Sequence, residues 1–184
     1  MPKMKLLIIS DIHGDADCLD TALKVFYEEA CEKIVILGDI LYHGPRNDLP
    51  AGYNPKRVIS TLNPLSDKII AVRGNCEAEV DAMVLTFPVM ADYIRIMVDG
   101  LSIFATHGHK FNTECESFLS EGEILLHGHT HVLKCEHFGK ENTYLNPGSI
   151  SLPKEGNPKT YMIYESRTFT IYDFSQNVIL KKEF

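Results

Sequence analysis

Five short polar clusters recur along this chain: Asp11-Ile-His13, Gly38-Asp39, Gly74-Asn75, His107-Gly-His109 and His127-Gly-His129-Thr-His131. They offer imidazole nitrogens, carboxylate oxygens and an amide oxygen, donors that suit borderline divalent ions such as manganese, iron and zinc. The five cysteines form no CxxC pair and no thiol-rich set, which disfavours a structural zinc site. Alternate side chains of an extended segment share a face. Asp11 with His13, and His129 with His131, are therefore expected to converge in pairs. Glycine before Asp39, Asn75 and His129 allows a sharp turn and a close backbone approach to a ligand. Singly these pieces say little, since Gly-Asp is a common turn dipeptide and Asn75 would not be chosen on its type. Their weight comes from placement, because each follows an expected strand.

Lys5 to Ser10 is a short aliphatic run that reads as a buried strand, ending at the first cluster. Leu19, Ala22, Leu23, Phe26, Tyr27 and Ala30 then recur at helical spacing, with Asp15 or Asp17 as the cap. Ile34 to Leu37 is a second strand, and Lys68 to Val72 a third. Between them lie a Pro- and Gly-rich loop over 42–55, long enough to suggest function, and a helix from Pro55 to Leu62. A helix from Glu77 to Leu85 completes a βαβαβα pattern, which implies a parallel sheet. Next, Tyr93 to Val98 and Leu101 to Thr106 flank Asp99-Gly100, a two-residue hairpin signal. A helix near Glu114 to Ser120 and a strand from Ile124 to Leu126 follow. Strand-like runs then cover Val132 to Phe138, Asn142 to Leu145, Thr160 to Glu165, Thr168 to Phe174 and Val178 to Lys182. The expectation is a parallel α/β first half and an antiparallel second half, as two mixed sheets packed face to face with helices outside. Ligands in such sheets collect beyond the carboxyl ends of strands, where all five clusters sit.

The 184 residues, 45% hydrophobic and 23% charged, suffice for a core in a single domain spanning 1–184. A metal is therefore not needed as a folding staple. The net charge of −7 argues against a general nucleic-acid binder, which needs a basic face. Phosphate can still be handled by an acidic protein through bound cations. The odd cysteine count points to a reducing compartment, the Leu6–Ile9 run is too short for a secretory signal, and no run reaches membrane-span length. The chain is expected to be cytoplasmic and not membrane-bound.

Taken together, Asp11-x-His13, Gly38-Asp39, Gly74-Asn75, the isolated His107 and Gly128-His129-x-His131 resemble the signature of the calcineurin-like metallophosphoesterases. Leu37-Gly-Asp-Ile-Leu-Tyr-His-Gly-Pro-Arg-Asn47, Ala71-Val-Arg-Gly-Asn-Cys76 and Asn146-Pro-Gly-Ser149 are similar to segments of the small YfcE-type phosphodiesterases within that family. The likeness runs through essentially the whole chain. It implies a four-layer αββα sandwich and two divalent metal ions, manganese foremost, with iron, zinc or nickel as alternatives. By the same resemblance one ion takes Asp11, His13 and His131, the second takes Asn75, His107 and His129, and Asp39 bridges them. A hydroxide bridging the two ions would then attack the phosphorus of a small phosphodiester.

Two positions depart from the broader family. Cys76 stands where many members have histidine, and Tyr42 and His43 stand where many have Asp and Arg. The catalytic group beside the metals is thus unassigned, with His43, Arg73 and Cys76 as candidates. Arg46 and Asn47 lie in the long loop and could reach substrate. His109 and His127 are expected to orient the ligands. Two other functions share this pattern: a non-catalytic interaction scaffold on the same fold, as in a retromer subunit, and a phosphomonoesterase or nucleotide-specific hydrolase. The apolar C-terminal strands leave room for a homo-oligomer.

Overall fold

The computed structural model describes residues 4–114 and 117–184. Its strands are β1 (Lys5–Ile9), β2 (Lys33–Ile36), β3 (Ile69–Ala71), β4 (Tyr93–Val98), β5 (Leu101–Thr106), β6 (Ile124–Leu126), β7 (Lys134–Phe138), β8 (Asn142–Asn146), β9 (Thr160–Glu165), β10 (Thr168–Asp173) and β11 (Val178–Glu183). Among the described residues three helices join them, α1 (Ala16–Glu28), α2 (Pro55–Leu62) and α3 (Glu79–Val84), with a 3-10 turn at Asn63–Lys68. None of the described helices is long and apolar enough to cross a membrane.

One sheet has six strands in the order β11-β10-β9-β1-β2-β3, the other five in the order β4-β5-β6-β8-β7. In the first, β1, β2 and β3 run parallel and β9 to β11 are antiparallel. Alternation along β1 explains the layering. Leu6 and Ile8 face the second sheet, packing with Ile103, Ala105, Ile124, Leu126 and Leu145. Leu7 and Ile9 face the helices, packing with Leu19, Ala22 and Phe26 of α1 and Val58 and Leu62 of α2. A strand buried on both faces reads as an unbroken aliphatic run, as this one does.

The antiparallel expectation for the second half needs correction. β5, β6 and β8 are mutually parallel, with antiparallel β4 and β7 only at the edges. Parallel neighbours need a crossover, and the described residues between β5 and β6 supply one built of turns and bends. The helix expected near Glu114 to Ser120 falls partly on residues 115–116, outside the described residues, and its described positions form turns. Phe111, Phe118 and Leu119 from this crossover cover Phe104, Leu125 and Tyr144. The fourth layer of the sandwich is thus an aromatic-bearing loop among the described residues.

Other local expectations hold. Asp15 caps α1 by accepting from the Cys18 N–H at 3.0 Å. Asp99 and Gly100 both take positive φ (48° and 75°), the geometry of a tight hairpin turn. Asn54 closes the long loop by capping α2.

Candidate metal centre

The carboxyl ends of the parallel strands in both sheets open on the same edge. β1 leads to Asp11 and His13, β2 to Asp39, β3 to Asn75, β5 to His107 and β6 to His129 and His131. The parallel run of β5 and β6 matters here, because an antiparallel pair would send one histidine cluster to the opposite edge.

The backbone reaches this edge in an uncommon way. Asp11, His13, Asp39, His129 and His131 all have left-handed φ, between 48° and 68°. Pairwise convergence therefore comes from tight turns and not from extended D-x-H and H-x-H segments. Such conformations cost about 1–3 kcal/mol per residue and persist only where surrounding structure enforces them. Backbone bonds bind the β1 turn to the β2 turn: His13 N–H donates to the Asp39 carbonyl at 2.9 Å and Gly14 N–H to Ile40 at 2.8 Å. The hydroxyls of Ser149 and Ser151 both donate to the Asp11 carbonyl, at 2.9 and 2.8 Å. Gly38 and Gly74 lie so close that a Cβ on Gly38 would come within 2.5 Å of the Gly74 nitrogen, and one on Gly74 would strike the Asp39 carboxylate.

The side chains form two trios around Asp39. In one, His131 Nε2 is 3.2 Å and His13 Nε2 3.7 Å from Asp11 Oδ1, and the two ring nitrogens are 3.2 Å apart. In the other, His107 Nε2 is 3.1 Å from Asn75 Oδ1 and 3.2 Å from His129 Nδ1. Asp39 Oδ2 lies between, 3.7 Å from His13 Nε2 and 3.4 Å from His107 Nε2.

These donors fit divalent cations. The Nδ1 atoms of His13, His107 and His131 face the carbonyls of Tyr42, Leu37 and Leu152 at 2.8, 2.6 and 2.5 Å. A carbonyl only accepts, so Nδ1 carries a proton, and in the neutral ring each Nε2 turns a lone pair inward. Asp11 Oδ1 is buried and has no hydrogen-bond donor. Protonation states record the surplus of negative charge. Burial opposes ionisation of Asp11, yet His13 and His131 hold its carboxyl well below the usual carboxylate range. Burial likewise opposes a charge on His107, but Asp39 and Asp11 outweigh it and raise the ring to about 9. A proton drawn onto a buried imidazole marks a position that a cation would fill.

A cavity of about 400 Å³ opens over the trios, lined also by Arg46, Asn47, Cys76 and Lys154. Arg46 and Asn47 reach it, as expected of the long loop. His43 does not: it packs edge-on against Tyr42 and Tyr53, with ring centroids at 4.7 and 5.4 Å. Arg73 does not line the cavity either. Burial, then the nearby Asp39, pushes the Cys76 thiol up, so it keeps its proton and is a poor nucleophile. Neither His109 nor His127 hydrogen-bonds a side chain of the trios; backbone carbonyls hold the rings of His13, His107 and His131, and His109 only packs its ring 5.4 Å from that of His107.

Three contributors escaped the sequence reading. Glu77 is buried and accepts N–H bonds from Asp39, Ile40 and Gly74 at 2.8, 2.7 and 2.5 Å, tying the β2 and β3 turns together. Its place just after Gly74-Asn75-Cys76 was the available signal. Ser149 also accepts from Leu152 N–H at 2.9 Å, which fixes the carbonyl facing His131. It belongs to the Asn146-Pro-Gly-Ser149 segment. No signal marked Lys154.

Known proteins resemble this chain in sequence and fold. The phosphodiesterase YfcE of Escherichia coli K12 is 41% identical over 177 residues, covering 96% of each chain. The solved structure of E. coli YfcE, described as a phosphoesterase, superposes with a TM-score of 0.93 over 97% of this chain and 98% of that one. Vps29 of Entamoeba histolytica, complexed with zinc, shares the fold at 18% identity, with a TM-score of 0.63 over 97% of each chain. Residues 4–168 match the calcineurin-like phosphoesterase superfamily domain. With the sandwich, the two trios and this match in agreement, the chain belongs to the calcineurin-like phosphoesterase superfamily.

Proposed function

We propose that this chain is a metal-dependent phosphodiesterase acting on a small phosphodiester through two divalent ions, manganese foremost. Asp11, His13 and His131 would hold one ion, Asn75, His107 and His129 the other, and Asp39 both. The observation that carries this reading is the convergence of inward lone pairs and carboxylates on two adjacent points with Asp39 between them. When bound, the ions supply an acidified water as nucleophile and neutralise charge developing on the phosphate.

The chain's own residues do the rest. Asp39 must be a carboxylate, because one side chain has to serve both points. Asn75 contributes a neutral oxygen, which limits the negative charge of the ligand set and keeps the site attractive to a phosphate anion. Arg46 and Lys154 line the cavity and can receive the phosphate oxygens. Cys76 packs beside Asp39, donating its backbone N–H to Oδ1 at 2.9 Å. The free thiols of Cys18, Cys31, Cys76 and Cys135 support a reducing, cytoplasmic setting.

The scaffold alternative predicts a degraded ligand set, whereas every position of both trios holds a competent donor. The test compares bis(p-nitrophenyl) phosphate with p-nitrophenyl phosphate, which share a leaving group, in protein loaded with manganese, iron, zinc or nickel. Faster diester turnover is the expected result. Faster monoester turnover would reassign the enzyme to monoesters, and no turnover with any ion would favour the scaffold.

A further inference from the structure

His127 and His109 hydrogen-bond no member of the trios, and both face a second cavity of about 370 Å³. It meets the first at His129 and Thr130, which line both. A phosphodiester has two ester arms, and the molecule has two cavities meeting at the candidate centre.

The second cavity has a definite chemistry. His127 is buried and stacked on Tyr144, with centroids 4.3 Å apart. Its Nδ1 lies 3.0 Å from the Gly128 carbonyl, which only accepts, so Nδ1 carries the proton. Nε2 is then a bare acceptor, and it is buried without a hydrogen-bond partner. Glu114, Glu136 and Glu155 line the same cavity. Lys134 is the one lysine or arginine among its lining residues, and it lies 3.7 Å from Glu136. A cavity rich in acceptors and net acidic repels a phosphate group and favours hydrogen-bond donors.

We infer that this second cavity is the subsite for one alcohol arm of the diester, and that it selects an arm bearing hydroxyl donors, a polyol, over an apolar one. The unpartnered Nε2 of His127 accepts from one hydroxyl and the Glu136 carboxylate from another. A site that leaves buried polar groups unpaired when a hydroxyl is missing discriminates strongly against the deoxy analogue. This rests on the phosphodiesterase reading above.

The experiment uses manganese-loaded protein and two pairs of probes. 3,4-Dihydroxybutyl(methyl)phosphinate and butyl(methyl)phosphinate, which mimic the glyceryl and propyl arms and have no P–O–C bond to hydrolyse, report binding by calorimetry. Glyceryl and propyl p-nitrophenyl phosphate, with a common leaving group, report kcat/KM. The glyceryl member is expected to win by about tenfold or more in each pair. Glu136→Ala, at an exposed strand position, should cut that ratio by about threefold, and His127→Phe, which keeps the stack on Tyr144, by more. Equal binding and equal rates for the two arms, or a ratio unmoved by both substitutions, would overturn the subsite and leave the diesterase intact. Loss of both turnover and phosphinate binding in the loaded wild type would overturn the two together.

Discussion

Asp11, His13 and His131 lie beneath the surface, at 0%, 1% and 3% exposure, whereas Asn75 is exposed and His129 only half-buried. The buried trio is also the better anchored. Carbonyls of two loops hold His13 and His131, two serine hydroxyls hold the Asp11 backbone, and Ser10 Oγ donates to the Asp11 carboxylate at 2.7 Å. Of the open trio only His107 has that support. The Asn75 amide makes a 3.3 Å contact to Cys76 Sγ, and His129 relies on its backbone N–H, which donates to Asp11 Oδ2 at 3.0 Å. Pre-organised donors lose less freedom when they bind. The buried point should therefore keep its ion, and the open one should exchange its ion and face substrate.

The substitution that cuts across this contrast is Asp39→Asn, because Asp39 Oδ2 lies between the two trios. Turnover of an aryl phosphodiester should fall by about 10³-fold while thermal unfolding still shows a folded protein. Unchanged turnover would end the two-ion reading. The contrast itself is tested by metal retention. His131→Asn should weaken the more tightly held ion by about 10²-fold, and Asn75→Ala only the weaker one, measured as bound metal after dialysis against graded chelator. Loss of both ions together from the wild type would erase the distinction between the trios.

Ser149→Ala probes the anchoring alone. It touches no metal point directly, but it frees the Asp11 carbonyl and the Leu152 N–H. Stability should drop by about 1–3 kcal/mol and affinity at the buried point by about tenfold, with the open point unmoved. Equal weakening of both points would show that Ser149 supports the whole edge.

The mildest effect is in pH. In metal-free protein His107 is raised to about 9 by Asp39 and Asp11 against the cost of burial. A raised histidine contributes stability that is fully present below its unfolded value near 6.5 and lost as pH climbs towards 9. The melting temperature of the metal-free form should therefore fall between those values. With metal bound the ring must be neutral, so metal binding should strengthen over the same interval. A melting temperature flat with pH in the metal-free form would contradict the His107–Asp39 pairing. The depressed carboxyls of Asp11 and Asp39 work at the other end, stabilising above their unfolded values and losing that contribution as the solution is acidified.

Strand and helix periods made most elements readable. β1, β2 and α1 carry apolar patterns set by which faces are buried, and Asp99-Gly100 names its own hairpin. The directions of β6 and β8 were not readable, because a three-residue strand such as Ile124–Leu126 has the same pattern whichever way its neighbour runs. His43 was expected near the site by position in its loop, but two tyrosines hold its ring elsewhere. Glu77 and Ser149 were overlooked because their bonds to Asp39 and Ile40 and to Asp11 reach segments far away in sequence, and local pattern does not name those partners.

By itself the sequence determined the donor types, their order after the strands, and the composition that turns an acidic chain towards cation-assisted phosphate chemistry. Only the tertiary structure decided that the donors meet. Left-handed turns at Asp11, His13, Asp39, His129 and His131 aim those side chains inward, and hydrogen bonds from other segments hold the turns, with close glycine packing at Gly38 and Gly74. Burial, which depends on the whole fold, then made one trio deep and the other open, and left His127 with a buried, unpartnered acceptor beside a second cavity.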